Sequence, residues 1–189
     1  MLRQSVNRMF AACSGCARMK VLVTYASRTG WTAGVAQVIG EALSQAGMPV
    51  DVLPMSEVED LAPYQAVVAG SAINGGAWLP EAVQFVRDHR AELARIPFAS
   101  FLVCMTLAMR NGEQHRSHVA TWLDPVRALA HPVSEGLFAG GLDIRRIPSA
   151  GDRLKFRFSV LFGVWAEGDH RDWEAIRTWA SQLKPLLAP

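Results

Sequence analysis

The sequence predicts an α/β fold: a three-layer sandwich with a five-stranded parallel sheet in the order 2-1-3-4-5 and helices on both faces. Three observations predict it. Short apolar runs bounded by turn residues recur along the 189 residues, as strands buried on both faces require. Between them lie segments whose apolar residues repeat every three to four positions, the spacing of helices packed on a sheet. The first run ends in a loop of hydroxyl and glycine residues, Ser27 to Thr32, at the strand edge where a doubly wound sheet binds ligands. Half of the residues are hydrophobic and 19% are charged, which excludes a disordered chain. A net charge of +2 gives no reason to expect nucleic acid. No apolar run approaches the ~18–20 residues of a membrane-spanning helix.

Residues 1–18 read as a leader, disordered or belonging to a mis-assigned start, ahead of a domain over 19–189. The leader holds Arg3, Arg8 and Arg18 and no acid, so the remainder carries a net charge of −1. Its Cys13 and Cys16 match a C-x-x-C pair but have only Cys104 as a further cysteine, too few for a disulfide framework or a zinc site. Three cysteines without a signal sequence read as cytoplasmic and reduced.

Lys20 to Tyr25 is the first strand. Val35, Val38, Ile39, Ala42 and Leu43 form one helical face, closed by Gly47. Residues 49–54 and 66–72 are the second and third strands. A glycine-rich loop, Ile73 to Trp78, leads to a helix opened by Pro80, with Ala82, Phe85, Val86, His89 and Leu93 on its buried face. Residues 98–104 and 133–143 are the fourth and fifth strands, with a helix between them over roughly 113–129. Asp169 can cap the last helix, whose face is Trp173, Ile176, Ala180 and Leu183. Connections this short between alternating strands and helices define the parallel sheet.

The loop after strand one carries the functional signal. Free N–H groups at a helix N-terminus attract an anion. Ser27, Thr29 and Thr32 add hydroxyl donors, and Gly30 lets the backbone fold around phosphate oxygens. Neither G-x-x-x-x-G-K-[ST] nor G-x-G-x-x-G follows the strand, which argues against a nucleoside triphosphatase and against the usual dinucleotide fingerprint. A hydroxyl-rich helix cap without a ligand is the alternative. The second unusual loop, after strand three, lies at the same sheet edge and favours a site.

Ser27-x-Thr29-Gly30-x-Thr32 resembles the flavodoxin phosphate loop, which binds the phosphate of FMN without a basic side chain. The resemblance runs over nearly the whole chain from Met19. Within the flavodoxin-like group it is greatest to the menaquinone-dependent protoporphyrinogen oxidase branch, through "MKVLVTYASRTGWT", "VVAGSAINGGAWLPEAVQFVRDH" and "EGDHRDWEAI". It implies a flavodoxin-like sandwich and an FMN-dependent oxidoreductase passing electrons to a quinone, with a porphyrinogen as donor. The alternatives are a soluble one-electron carrier and a non-enzymatic interaction domain on the same scaffold.

By this resemblance the phosphate sits on Ser27, Arg28, Thr29, Gly30, Trp31 and Thr32. The ring lies between Ser71, Ala72, Ile73, Asn74, Gly75 and Trp78 on one side and Thr106, Leu107 and Ala108 on the other. Trp78 is either the stacking partner or a core tryptophan capping its helix; Trp31 is expected at the surface beside the phosphate. Electron-carrier flavodoxins usually place an aromatic in the strand-four loop and acids around the flavin. Here that loop reads "MTLAMRNGEQ", without an aromatic and with Arg110. An uncovered ring without nearby acids implies a less negative potential, suiting a quinone-linked enzyme. No catalytic acid or base stands out, and flavin chemistry often needs none.

Residues 144–165 hold Arg145, Arg146, Arg153, Lys155 and Arg157 against one acid, Asp152, together with Phe156, Phe158, Leu161, Phe162 and Trp165. Cations interleaved with aromatics suit a peripheral contact with the inner face of a membrane. A helix packed on the sheet with solvated arginines is the other reading, and the same cations suit the propionates of a porphyrin. His115 and His118 lack a third ligand type nearby, so no metal is expected. Glu57, Glu59 and Asp60 read as a solvated acidic turn.

Overall fold

The structure is a computed structural model that describes residues 20–147 and 149–188; the leader lies outside the described residues. Five parallel strands, β1 (Val21–Ala26), β2 (Val50–Pro54), β3 (Ala66–Asn74), β4 (Phe98–Cys104) and β5 (Ser134–Ala139), form one sheet in the order β2-β1-β3-β4-β5. The 2-1-3-4-5 order follows from register: Val21 pairs with Val50 on one side and Ala66 on the other, and Val67 pairs with Phe98. β4 is buried along its whole length, whereas β2, at the edge, is half-buried throughout.

Helix α1 (Trp31–Gln45) and the last helix pack on one face over Val23, Ile39, Phe101 and Leu183. The other face is covered by α2 (Pro80–Asp88) and the chain after β4, over Leu22, Phe85, Leu102 and Leu123. Helix α1 ends where the sequence places the stop. Gly47 adopts φ +85°, its N–H donates to the Ser44 carbonyl and the Met48 N–H to the Leu43 carbonyl. This double closure satisfies helix-end carbonyls that would otherwise go unpaired.

Three elements differ from expectation. The second helix breaks at His89, leaving a separate turn at Arg90–Leu93. The expected helix over 113–129 is three pieces: a 3₁₀ turn at Gly112–His115, α3 (Arg116–Thr121), and a turn at Asp124–Arg127. Pro125 has no N–H to continue the ladder from α3, so the chain restarts there. The fifth strand stops at Ala139. Beyond it, Gly141–Leu142 pairs antiparallel with Gly168–Asp169, so the chain leaves the sheet at Leu142 and returns at Gly168. Between these points runs α4 (Ala150–Leu161), capped by the Ser149 hydroxyl, which accepts from the Asp152 N–H. α5 (Trp173–Leu187) follows, with Ile176, Ala180, Leu183 and Leu187 buried. Its cap is Asp172, which accepts from Glu174 and Ala175, and not Asp169.

Candidate functional site

At the carboxyl edge of the sheet a cleft of about 310 Å³ opens between the loops after β1, β3 and β4. The loop after β1 builds its floor. Gly30 takes φ +87°, which costs any other residue strain, and its N–H donates to the Ser27 hydroxyl at 3.1 Å. That turn aims the start of α1 at the cleft. The first helical bond is Gly34 N–H to the Gly30 carbonyl, and no side chain among the described residues caps the helix. Its leading N–H groups are therefore available to an anion. Thr29 is half-buried and Thr32 almost wholly buried, and both line the cleft.

A hydrogen-bonded clamp fixes this floor from below. Arg171 donates to both carboxylate oxygens of Asp169 at 2.8 Å and to the Trp31 carbonyl at 3.2 Å. Its guanidinium lies 4.6 Å from the Trp31 ring centre and 4.1 Å from that of Trp173. Those hydrogen bonds hold Asp169 ionised below the usual carboxylate range, against a smaller opposing effect of burial. The closing motif that the sequence singled out thus braces the loop and stands outside the cleft lining. Nothing in local spacing links residue 31 to residue 171.

The walls differ from the sequence expectation at several named residues. Ala72, Ile73, Asn74, Gly75 and Thr106 line the cleft as expected, joined by Gly76. Ser71 does not: it is fully buried, donates to the Ala72 carbonyl and accepts from the Leu79 N–H. It staples the loop from behind. Trp78 is 3% exposed and belongs to the core beneath α2, so it is the core tryptophan and not the stacking partner. Its position in the antiparallel pair Ile73↔Trp78 turns the ring inward. Leu107 and Ala108 stand in a 3₁₀ turn away from the lining. Arg28 points outward and reaches Glu81 at 3.9 Å.

Apart from Trp31, the cleft's aromatic surface comes from residues that the sequence did not assign to the site. Trp31 and Trp122 line it, together with Phe156 and Trp165, which stack on each other at 5.0 Å and 26°. The expectation of a ring left bare because the strand-four loop lacks an aromatic is therefore corrected: π surface arrives from α4 and from the end of α3. No Asp or Glu lines the cleft among the described residues. Cys104 lines it as well, and burial raises its thiol despite opposing backbone hydrogen bonds from Leu107 and Thr106, which keeps it protonated at neutral pH.

A larger hollow of about 450 Å³ lies across the loop, between Tyr25, Ser27, Met55 and α2. It carries two carboxylates, Glu81 and Asp88, and touches neither the β3 loop nor the β4 loop. A phosphate is poorly served there. Among the described residues no three His, Cys, Asp or Glu side chains gather as a metal cage. His118 packs edge-on against Trp122 at 5.5 Å.

The model of the flavodoxin domain family matches residues 22–162, and the chain belongs to that family. It is 29% identical over 181 residues to an Escherichia coli (strain K12) protein named protoporphyrinogen IX dehydrogenase (quinone), covering 89% of this chain and 96% of that one. A protein of the same name from Leishmania major is 26% identical over 181 residues, covering 90% of this chain and 78% of the other. A short-chain flavodoxin associated with a bacterial microcompartment shares the fold. It has a TM-score of 0.57 at 17% identity, over 90% of this chain and 99% of that one.

Family membership implies a flavin, and the cleft has features that fit one. The uncapped start of α1 suits a phosphate. A Cβ added at Gly141 would lie 2.5 Å from the Trp31 ring, and one at Gly76 would lie 3.3 Å from the Trp122 indole nitrogen. Glycine at both keeps the aromatic walls in place. Nε1 of Trp165 is buried without a partner among the described residues, a donor suited to a heteroaromatic edge.

Proposed function

We propose that this protein is an FMN-dependent oxidoreductase that passes electrons to a quinone, with a porphyrinogen as the electron donor. The observation that carries the reading is the cleft itself: an uncapped helix start for a phosphate, three tryptophans and a phenylalanine around it, and, among the described residues, no carboxylate in its lining. The names of the two relatives support a porphyrinogen as donor and a quinone as acceptor. Bound FMN supplies hydride and electron transfer; the protein's residues bind, orient and shield it. Ser27 and Gly30 shape the loop, Thr29 and Thr32 offer hydroxyls to the phosphate, and the β3 and β4 loops offer backbone groups to the ring. The lack of acids in the lining among the described residues favours a less negative potential, because negative charge near a reduced ring would destabilise it. Exposed apolar side chains of α4 and of the residue that follows it, namely Leu154, Phe158, Leu161 and Phe162, would meet the membrane that holds the quinone.

The test has two stages. Titration of the purified protein with FMN at micromolar concentration is expected to quench flavin fluorescence; no binding would overturn the cofactor. Anaerobic mixing of the FMN-loaded protein with protoporphyrinogen and a menaquinone analogue is then expected to give turnover. Reversible one-electron cycling without turnover would mark a carrier instead.

A further inference from the structure

Beside the cleft lies a second cavity, of about 370 Å³, walled by Ile144, Arg145, Arg153, Arg157 and Glu167. Three guanidinium groups face one carboxylate, and that carboxylate is already engaged, accepting from the Ile144 N–H at 3.2 Å. Arg153 uses its Nε on the Ile147 carbonyl, which leaves its terminal nitrogens for other partners. Arg153 and Arg157 stand one turn apart on α4, an unfavourable like-charge pair. The acid of that helix, Asp152, instead pairs with Lys155. The three arginines are exposed, and Arg145 also reaches Asp143 at 3.7 Å; an anion entering the cavity would meet the planar fork of arginine, which matches a carboxylate oxygen for oxygen.

The two cavities share their walls. Phe156, between Arg153 and Arg157 in sequence, lines the flavin cleft; Trp165 lines it two residues before Glu167; and Gly141 lines it three residues before Ile144. Helix α4 and the segment that leads to Glu167 thus serve both cavities, whereas the turn at Ile144–Arg146 walls the basic one alone.

We propose that the Arg145–Arg153–Arg157 cavity is a carboxylate-binding subsite that holds the acidic arms of the substrate while its reacting ring occupies the cleft beyond Phe156 and Trp165. This rests on the reading that an apolar macrocycle with carboxylate arms is the electron donor. The three arginines anchor and orient it; none touches the reacting atoms.

The probe is protoporphyrin IX, a stable diacid, against its dimethyl ester, which keeps the ring and loses the charge. Binding to the FMN-loaded protein is followed by the porphyrin absorption band. The diacid is expected to bind at least about tenfold more tightly than the ester, the worth of a charge-assisted hydrogen-bonded pair. R153Q with R157Q is expected to erase that difference while leaving FMN affinity, read from flavin fluorescence, unchanged. R145Q, outside the helix, is expected to erase part of it, which guards against a helix that merely unfolds. Equal binding of acid and ester, or a preference that survives in the double variant, overturns the subsite. Capture of phosphatidylglycerol vesicles through Arg153 and Arg157 with no acid preference would make the cavity a lipid headgroup site and also overturn it. The readings fail separately: acid preference without turnover fells the oxidoreductase, and turnover without acid preference fells the subsite.

Discussion

At the scale of single residues, the proposed site divides into groups placed to meet a ligand and groups that hold those groups in place. Thr29 lines the cleft and is proposed to be of the first kind. Thr29→Ala is expected to weaken FMN binding by about 1.5–3 kcal/mol, the worth of a hydrogen bond to a charged group, with little change in melting temperature because the side chain is only half-buried. Fluorescence titration and thermal denaturation separate the two effects. Trp165 tests the aromatic wall. Trp165→Phe keeps a stack on Phe156 but removes the unpartnered Nε1, so FMN affinity should fall by about 1 kcal/mol. Trp165→Ala removes the stack too and should lose about 0.5–1.5 kcal/mol more. Equal affinity in all three proteins would show that this tryptophan does not reach the flavin.

At the scale of elements, strands and helices with strong periodicity were legible in the sequence, as was the hydroxyl-rich loop, because each depends on neighbours within a few residues. Val35, Ile39 and Leu43 declare a buried helix face by spacing alone. The cleft's walls were legible only in part. Phe156 and Trp165 read as members of a basic-aromatic stretch, and no local pattern tells an aromatic aimed at a cofactor from one aimed at lipid. The structure divides the stretch: Phe156 and Trp165 line the cleft, while Phe158 and Phe162 are 52% and 78% exposed. α4 has no buried residue, so the reading of a core-packed helix does not hold either. Phe158→Ser with Phe162→Ser is therefore expected to leave the melting temperature within about a degree, as surface changes usually do, and to reduce co-sedimentation with anionic vesicles. A marked loss of thermal stability would show that these rings are packed.

At the scale of the whole molecule, the edge strand β2 is tied to the sheet by a polar contact whose strength depends on pH. Asp51 accepts from Lys20 at 2.6 Å and from the Tyr64 hydroxyl at 2.8 Å. Burial works against its ionisation, yet the two donors hold its carboxyl below the usual range. Burial, followed by the Asp51 carboxylate, pushes the Tyr64 hydroxyl from 10.0 up to about 12. The folded state thus keeps a proton that the unfolded chain releases earlier. The contribution of this group to stability is fully present below pH 10 and is lost as pH rises through about 12. Denaturant melts across that window should show stability falling in the native protein and falling less in Tyr64→Phe. The phenylalanine variant should start about 0.5–1.5 kcal/mol lower at neutral pH for its missing hydrogen bond.

The antiparallel pairing of Gly141–Leu142 with Gly168–Asp169 brings the departure and return of the chain side by side. Everything from Asp143 to Glu167 hangs from that point like a cassette, and the distance to be spanned without it is that of a hairpin. A two-residue Asn-Gly turn joining Leu142 to Gly168 has the length and conformation such a pair accepts. The Gly140 carbonyl would still accept from the His170 N–H, and Arg171 would still brace Trp31. The shortened protein is expected to unfold cooperatively and to keep a measurable affinity for FMN. It should lose both the aromatic outer wall and the preference for acidic macrocycles. A minimal flavin-binding domain and a portable substrate-selecting cassette would then exist as separate parts, and the cassette could be transplanted to the same hairpin of a plain flavodoxin to ask whether it carries its selectivity along.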